Sequence, residues 1–331
     1  MNEFVRAAFS KEVVSEAARL YNIKFSDLTL LRDNVNIIYR FREGNKEFIL
    51  RLTHSSHQCF DTVNSEIYWI NFLHENKIPV SNPLLSANNN LCEKVTSGDS
   101  YFSVVNFTAA PGVELGEKNW NSNTIGQMGR ITGMIHKCSK TYSPPETIKK
   151  RTIWPEKSNQ MAETYLPESD LKVREYWKQL LSVVKQLPST SDSFGVVHND
   201  IHRGNFMEDK GRLTLFDCED ACYTWFVNDI SCPLFFAMNY NGVNDFNRRG
   251  WARYFMDSFM KGYQKHNRLN PEQLKLMPEL LHLRGIFVYA YLFKAWDVTK
   301  LNQAQLNYFN RMKHIAENGF DWLKPEDYLL N

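Results

Sequence analysis

Three oxygen-bearing side chains in one short stretch of the chain could together hold a metal ion and move a proton. The loop at residues 198–206 reads HNDIHRGNF; it contains Asp200 and Asn205, and Asp217 follows in LTLFD. Carboxylate and amide oxygens are the hard ligands that Mg²⁺ takes in proteins, usually together with substrate phosphates. With Asn205 and Asp217 on the metal, Asp200 is left to orient a hydroxyl group and accept its proton as the oxygen attacks phosphorus. The residue types therefore predict phosphoryl transfer.

A β-hairpin between these residues would bring two of them together. After Asn205 the chain reads FMEDKGRLTLFD, in which a turn signal at Lys210 and Gly211 separates two short apolar stretches. Counting back from that turn along two antiparallel strands pairs Asn205 with Phe216 or Asp217. The sequence thus predicts that Asn205 and Asp217 are neighbours, with Asp200 five residues earlier on the same loop.

The same loop allows other interpretations. His198, Asp200 and His202 stand at alternate positions, so they could bind zinc or iron in a metal-dependent hydrolase. Asp and Asn are also common in turns that have no function. His198 is expected to brace the loop, although a catalytic acid is an alternative, and His202 could contact substrate or phosphate or be structural.

The loop H-N-D-I-H-R-G-N resembles that of the aminoglycoside phosphotransferase family, which reads H-G-D-x-H-x-x-N, with a departure at Asn199. The resemblance implies an α+β, two-lobed, protein-kinase-like fold that has a small antiparallel sheet with a helix in the N-terminal lobe and a mainly helical C-terminal lobe. It also implies transfer of the γ-phosphoryl group of ATP, with Mg²⁺, to a small-molecule hydroxyl. Asp200 would be the catalytic base, and Asn205 and Asp217 would be the metal ligands.

The resemblance further implies a set of nucleotide-binding residues. Arg51 stands where the family has a phosphate-binding Lys, and Glu66 on the following helix would pair with it. Arginine is longer than lysine and donates to phosphate as a fork, so one alternative is a nucleotide-binding protein that has lost catalysis. Another alternative is that Arg51 and Glu66 form an ordinary surface ion pair. The remaining nucleotide contacts would come from the phosphate-covering turn RDNVN with Asn34, from main-chain groups of the hinge near Asn106 and Thr108, and from His202.

Two features favour a small-molecule kinase over a protein kinase. Position 202 is His, where protein kinases typically have Lys. Only twelve residues separate Asp217 from the apolar run that starts at Ile230, and no A-P-E-like string follows. An activation segment that docks a peptide does not fit into that length.

The acceptor stays open at the level of sequence: homoserine, a methylated thiosugar, choline-like amines, aminoglycosides and a protein hydroxyl all fit. The phosphoryl donor could be GTP in place of ATP. Asp229 matches the aspartate that braces the family's catalytic loop. Glu219 and Asp220 would either face the acceptor or cap the next turn. A late helix carries side chains that belong to the core or line the acceptor pocket, namely Tyr289, Tyr291, Trp296 and Asp297.

The elements that must position these residues follow from periodicity. A weak helical pattern covers residues 11–21, a hairpin joins Val35–Phe41 to Phe48–Leu52, a helix is expected to start with Asn64 or Ser65 as its cap, and a strand pair is expected near residues 91–107. Helical spacing then dominates near residues 125–135, 171–186, 250–265, 271–297 and 304–318, whereas the proline-containing residues 139–170 are expected to be irregular. These patterns predict a nucleotide-binding lobe at residues 1–106 and a catalytic lobe at residues 107–331.

Composition narrows the functional classes. The 331 residues carry 39 basic and 37 acidic side chains, for a net charge of +2, which provides no field to attract nucleic acid or an anionic membrane. The six cysteines form no C-x-x-C pair and favour a reducing compartment. We therefore expect a cytoplasmic enzyme whose partners are a nucleotide and a small molecule.

Overall fold

The computed structural model describes residues 3–116, 119–239, 248–320 and 323–329. These residues belong to two compact units. The first comprises Met1–Glu114, Ser143–Arg151 and Phe206–Glu219, and the second comprises Leu115–Tyr142, Thr152–Asn205 and Asp220–Asn331. The first unit is therefore built from three separate segments of the chain, whereas the sequence predicted two continuous lobes at residues 1–106 and 107–331.

An antiparallel sheet forms the centre of the first unit. Its strands are β1 (Thr29–Asp33), β2 (Asn36–Glu43), β3 (Lys46–His54), β4 (Pro83–Leu84), β5 (Glu93–Ser97) and β6 (Ser100–Thr108), in the order β1-β2-β3-β6-β4 with β5 also paired to β6. The helices before and beside the sheet are α1 (Glu3–Ala8), α2 (Lys11–Leu20) and α3 (Phe60–Glu75). The predicted hairpin is β2 with β3, and the predicted strand pair is β5 with β6, so both are confirmed.

The start of helix α3 differs from the prediction. The helix begins at Phe60 with Cys59 at the N-cap position, one turn before the expected cap at Asn64 or Ser65. The Tyr101 hydroxyl of β6 accepts the Phe60 N–H at 3.0 Å, so a partner that is distant in sequence supplies the acceptor that a local cap would have provided. Val63 in the added turn is fully buried, which extends the apolar stripe of the helix.

A further hairpin of the first unit is the one predicted beside the catalytic loop. Strand β9 (Phe206–Asp209) pairs with β10 (Arg212–Leu215), and the short strand β7 (Val113–Glu114) pairs with the other edge of β9. Lys210 and Gly211 both have positive φ, of 49° and 78°, as the two central residues of a type I′ turn require. The predicted turn is confirmed.

The second unit is mainly helical. Its helices are α4 (Ser122–Ser139), α5 (Glu156–Tyr165), α6 (Leu171–Val184), α7 (Phe226–Met238), α8 (Arg248–Tyr263), α9 (Pro271–Leu274), α10 (Met277–Ala295) and α11 (Gln303–Asn318), and it also contains the antiparallel strands β8 (Phe194–Val197) and β11 (Cys222–Trp225). No helix in the described ranges is long and apolar enough to cross a membrane.

Helix α5 corrects the expectation that residues 139–170 are irregular. Its sequence EKSNQMAETY is polar, and of its residues only Met161 and Ala162 are buried. Because two apolar side chains are too few to produce a periodic pattern, the helix gives no signal in the sequence. It is stabilised instead by packing against α10, which is a tertiary effect.

Helices α4 and α8 cross with their backbones in direct contact. A Cβ atom at Gly129 would lie 1.9 Å from the carbonyl oxygen of Phe259, and one at Gly262 would lie 1.8 Å from that of Gly126. Only glycine permits this approach. The close crossing sets the distance between the side chains of α4 and α8 that meet beneath the catalytic loop.

Candidate active site

The predicted catalytic loop connects β8 to β9 and reverses direction at Asn199. This residue has φ of 63°, in the left-handed region that Asn tolerates better than other non-glycine residues. The aminoglycoside phosphotransferase pattern has Gly at this position. The departure noted in the sequence therefore preserves the backbone conformation of the turn.

A buried chain of hydrogen bonds holds the turn from below. Asp229 of α7 accepts the Asn199 N–H at 2.6 Å through one carboxylate oxygen and contacts Nε2 of His136 at 2.9 Å through the other. Nδ1 of His136 lies 2.9 Å from the hydroxyl of Tyr263, which in turn accepts from Asn267 at 2.7 Å. Since a carboxylate can only accept, Nε2–H of His136 donates to Asp229. Asp229 thus has the bracing place that the family resemblance implied.

His136 and Tyr263 were not singled out by sequence reasoning. Both are completely buried, and the His136 ring stacks on Phe226 with ring centroids 4.4 Å apart. In the sequence they are a histidine and a tyrosine on two helical stretches, and no local pattern distinguishes them from ordinary core residues. Their role becomes visible only through the α4–α8 crossing.

A second missed residue, Arg284 of α10, holds the same turn from another side. Its guanidinium donates to the carbonyl oxygen of Asn199 at 3.0 Å. Its charge also acts on Asp200. The turn is therefore fixed through its N–H group by Asp229 and through its C=O group by Arg284.

Asp200, the predicted base, is held by two neighbours on its own loop. Nε2 of His202 lies 3.3 Å from Oδ2 of Asp200, and Nδ2 of Asn205 donates to the Asp200 carbonyl at 2.9 Å and to Oδ2 at 3.3 Å. Burial raises the pKa of Asp200, but the hydrogen bond and charge of His202, together with Arg284 and His198, lower it below its ordinary value. Asp200 is therefore ionised near neutral pH and can accept a hydrogen bond from a hydroxyl group.

His202 has a defined orientation. The Gly204 N–H donates to its Nδ1 at 3.0 Å, which leaves Nε2 as the protonated nitrogen facing Asp200. A Cβ atom on Gly204 would come within 2.8 Å of the His202 ring. The glycine in the loop is therefore what lets the imidazole lie against the backbone and reach the carboxylate.

His198 is fully buried, and its Nδ1 accepts the Asp200 N–H at 3.3 Å, as expected of a residue that braces the loop. Within the described part of the chain, no group of three or more His, Cys, Asp or Glu side chains is arranged to hold a metal ion. The ligand set that a zinc or iron hydrolase would need from His198, Asp200 and His202 is thus missing from those residues.

The predicted metal ligands flank the β9–β10 hairpin along the chain. Phe206 and Leu215 form the pair at the open end of the hairpin. Asn205 directly precedes Phe206, and Asp217 follows Leu215 by two residues. Asp217 is exposed and has φ of 62°, while Asn205 is buried and uses its amide nitrogen in both of its hydrogen bonds to Asp200. Asn205 belongs to the second unit and Asp217 to the first.

Arg51 and Glu66 form a buried ion pair in the first unit. The two terminal nitrogens of Arg51 on β3 donate to the two carboxylate oxygens of Glu66 on α3 at 2.8 and 3.0 Å, with side-chain exposures of 8% and 1%. The alternative of a surface ion pair is therefore wrong. Burial acts to lower the pKa of Arg51, but the charge and hydrogen bonds of Glu66 raise it above its ordinary value. Nε of Arg51 is buried without a hydrogen-bond partner.

Glu219 lies in a hydrogen-bonded cluster that sequence reasoning missed. It accepts from Nδ2 of Asn36 at 2.8 Å and contacts Nε2 of His57, and the oxygen of the Asn36 amide accepts from Thr53 at 2.7 Å. Burial raises the pKa of Glu219, but His57, Arg51 and Asn36 outweigh it and lower the pKa to about 2. Glu219 thus ties strand β2, next to the predicted phosphate-covering turn, to the segment that carries Asp217. Asp220 is paired with Lys157 in the second unit.

The other residues predicted to bind the nucleotide are Asn34, Asn106 and Thr108, and all three lie in the first unit. Asn34 is exposed in the turn between β1 and β2. Asn106 is buried on β6, and its side-chain oxygen lacks a hydrogen-bond partner. Thr108 ends β6, and its N–H donates to the carbonyl of Asn82 at 3.0 Å, so this main-chain donor is already used within the first unit.

The four candidate residues on and just after helix α10 are divided between core and surface. Tyr289 is buried and donates to Asp170 at 2.8 Å, which is a core role. Tyr291 is 45% exposed. Trp296 follows the helix and packs its ring against Tyr308 at 6.1 Å, while Asp297 accepts from the Thr299 hydroxyl at 2.6 Å.

Comparison with known proteins shows the family of this chain. Residues 29–268 match the phosphotransferase enzyme family. The chain is 32% identical over 310 residues to amicoumacin kinase of Bacillus subtilis (strain 168), covering 93% of this chain and 92% of that protein. A solved amicoumacin kinase in complex with AMP-PNP, Ca²⁺ and Ami aligns at a TM-score of 0.90 with 30% identity, over 96% of both chains.

More distant solved structures show the fold alone. A microcompartment-associated aminopropanol kinase has a TM-score of 0.74 at 18% identity over 97% of this chain and 99% of its own. Spectinomycin phosphotransferase has a TM-score of 0.62 at 15% identity over 93% of this chain and 94% of its own. The predicted α+β, kinase-like fold and the prediction of a phosphotransferase are confirmed. The match over more than half of the chain and the catalytic loop agree, and the chain therefore belongs to the phosphotransferase enzyme family.

Proposed function

We propose that the protein transfers the γ-phosphoryl group of ATP, with Mg²⁺, to a hydroxyl group of a small molecule. The observation that carries this is the hydrogen-bonded set of Asp200, His202 and Asn205 on a loop fixed by Asp229. In the proposed reaction Asp200 accepts the proton of the acceptor hydroxyl while the hydroxyl oxygen forms a bond to the γ-phosphorus. The bond between that phosphorus and the bridging oxygen breaks, and ADP leaves. Positioning and charge compensation account for most of the rate enhancement in such a reaction.

Asn205 and Asp217 fit a divalent cation by their chemistry. Both hydrogen bonds of the Asn205 side chain use its nitrogen, so its oxygen is left as a ligand, and Asp217 is an exposed carboxylate. Hard oxygen donors of this kind are what Mg²⁺ takes alongside phosphate oxygens. When bound, Mg²⁺ would neutralise the negative charge of the phosphates.

Arg51 is proposed to bind phosphate oxygens in place of the family's lysine. Glu66 fixes its guanidinium through the two terminal nitrogens, and the buried Nε, which has no partner, is a donor that a phosphate oxygen would satisfy. Asn34 and Asn36 would lie at the phosphate-covering turn, which Glu219 holds through Asn36.

For the acceptor, we propose an antibiotic of the amicoumacin type. The support is the identity of about one third to an amicoumacin kinase over nearly the whole of both chains, together with the TM-score of 0.90 to a solved kinase of the same name. His202, beside Asp200, would contact the acceptor or the transferred phosphoryl group.

The experiment is a phosphoryl-transfer assay with Mg-ATP and amicoumacin, followed by mass spectrometry of the product. Asp200→Ala should lower kcat by roughly a hundredfold or more while leaving binding of Mg-AMP-PNP unchanged, and Asp217→Ala should abolish the Mg²⁺ dependence of AMP-PNP binding in calorimetry. An unchanged kcat in Asp200→Ala refutes the assignment of the base. Nucleotide binding without transfer to any alcohol would favour the alternative of a non-catalytic nucleotide-binding protein.

A further inference from the structure

Arg151 is a buried arginine that has no part in the reaction proposed above. It ends the segment Ser143–Arg151 of the first unit and is 8% exposed. One of its terminal nitrogens donates to the carbonyl oxygen of Thr62 at 2.9 Å, and the other donates to the carbonyl oxygen of Glu219 at 2.6 Å. Hydrogen bonds from a charged donor are stronger than those between neutral groups. One guanidinium therefore joins two main-chain carbonyls firmly.

The two carbonyls belong to segments that carry proposed ligands of the nucleotide and the metal. Thr62 lies in the first turn of helix α3, one turn before Glu66 of the buried ion pair. Glu219 lies two residues after Asp217, the proposed metal ligand. Arg151 therefore links the start of α3 to the segment of Asp217, and all of these residues belong to the first unit.

The segment after strand β10 needs an anchor of this kind. Asp217 has φ of 62°, a left-handed conformation that costs a non-glycine residue about 1–3 kcal/mol and persists where the surrounding contacts impose it. Glu219 is held through its side chain by Asn36 and His57. Because Arg151 holds the carbonyl of the same residue, the main chain beyond Asp217 is fixed as well.

The link depends on the shape of the arginine side chain. A guanidinium is planar and presents two terminal nitrogens in a rigid fork, whereas the ammonium of lysine is a single point charge on a flexible stem. The two carbonyls lie 89 and 68 positions from Arg151 in the sequence, so the fork joins elements that have no local connection. Keeping the charge alone does not preserve this link.

We propose that Arg151 is a positioning residue for the phosphoryl-transfer site, which holds the segment of Asp217 against the first turn of helix α3. Arg151 acts through Asp217, whose carboxylate it keeps in the orientation that binds the metal ion together with the nucleotide phosphates. The proposal rests on the phosphoryl-transfer function proposed above and adds a residue on which the metal ligand depends.

The test measures the binding of AMP-PNP by calorimetry, once with Mg²⁺ and once with EDTA, so that no turnover is needed. Arg151→Met should weaken the binding of Mg-AMP-PNP by roughly tenfold or more, the usual effect of removing a group that orients a metal ligand, and should change binding in EDTA by less than about twofold. In an Asp217→Ala background the same substitution should have no further effect, because the ligand that Arg151 positions is already absent.

Two further variants separate the link from the charge and from general effects of losing an arginine. Arg151→Lys keeps the charge but not the fork, and it should weaken the binding of Mg-AMP-PNP by roughly fivefold or more. Arg174→Met is the matched control, because Arg174 of α6 also donates to a main-chain carbonyl, that of Glu163 at 3.4 Å, in the second unit. It should bind Mg-AMP-PNP as the wild type does. Urea unfolding of each variant ensures that binding is compared between folded proteins, and Arg151→Lys keeps the test decisive if Arg151→Met does not fold.

Four results would each overturn the proposal: wild-type affinity for Mg-AMP-PNP in either Arg151 variant, an equal loss in EDTA, a loss that adds to that of Asp217→Ala, or an equal loss in Arg174→Met. A failure of the proposed function has a different signature. If the wild type does not bind Mg-AMP-PNP, the phosphoryl-transfer function is refuted and this proposal with it. If the wild type binds it in an Mg²⁺-dependent way that Arg151 does not influence, only the role of Arg151 is refuted.

Discussion

The Arg51–Glu66 pair gives a quantitative prediction, because its two side chains are almost wholly removed from water. Glu66→Leu would leave a permanently charged guanidinium, 8% exposed, without its counter-charge. Breaking a buried ion pair from one side costs about 3–5 kcal/mol, a large part of the roughly 5–15 kcal/mol by which proteins of ordinary stability are folded. We therefore expect a pronounced fall in the denaturant midpoint.

The chain offers a matched control in the pair of Arg19 and Glu16. It also has two hydrogen bonds, from Nε and one terminal nitrogen of Arg19 at 2.8 and 2.7 Å, but its side chains are 69% and 44% exposed. Glu16→Leu should lower the free energy of unfolding much less than Glu66→Leu, because water and salt screen an exposed pair. The difference between the two variants isolates the effect of burial.

A double-mutant cycle completes the assay. Arg51→Met alone leaves a buried carboxylate without its counter-charge, and Arg51→Met with Glu66→Leu should be more stable than Glu66→Leu alone. Urea unfolding followed by fluorescence measures all four states of the cycle. If Glu66→Leu costs no more than Glu16→Leu, or if the two single costs add without coupling, the reasoning about this buried pair is refuted.

Three further outcomes are expected. The pKa of Glu219 is lowered to about 2 by His57 and its other partners, so its ionisation should add roughly 3 kcal/mol to the free energy of unfolding. This stabilisation is present above about pH 5 and is lost as the pH falls towards 2. Acid unfolding of Glu219→Gln should lack this component, and a pH profile identical to that of the wild type would contradict the prediction. Gly204→Ala would place a Cβ 2.8 Å from the His202 ring and so displace the imidazole. It should lower kcat by roughly tenfold or more with the KM for ATP unchanged. An unchanged kcat would show that the position of His202 does not matter for catalysis. Asp229→Asn should reduce both stability, by about 1–3 kcal/mol, and kcat, as measured by urea unfolding and steady-state kinetics; a loss of neither would exclude its bracing role.

The catalytic loop and its hairpin could be predicted because their geometry is local. The turn at Lys210 and Gly211 and the alternation of Leu213 and Leu215 lie within six residues of each other, and they fix the register that the structure shows. Local backbone preferences of this kind are carried by the residues themselves. The placement of Glu66 opposite Arg51 was likewise predictable, although only through resemblance to the family.

The brace of the loop and the link made by Arg151 could not be predicted in this way. His136 lies 93 positions from Asp229, and Arg284 lies 85 positions from Asn199. Histidine and arginine on helical stretches carry no sign of a distant partner. Likewise, the two carbonyl partners of Arg151 lie 89 and 68 positions away in the sequence.

The sequence by itself placed Asp200, Asn205 and Asp217 on one loop and hairpin, and its resemblance to a known family selected phosphoryl transfer among the chemistries that these residue types allow. Tertiary structure decided the rest: the partners of His136, the burial of Arg51 with Glu66, and the aromatic contact of His202 with Phe236. The physical reason is that side-chain type and local backbone conformation are properties of neighbouring residues. Desolvation and contact between distant residues arise only when helices and strands pack.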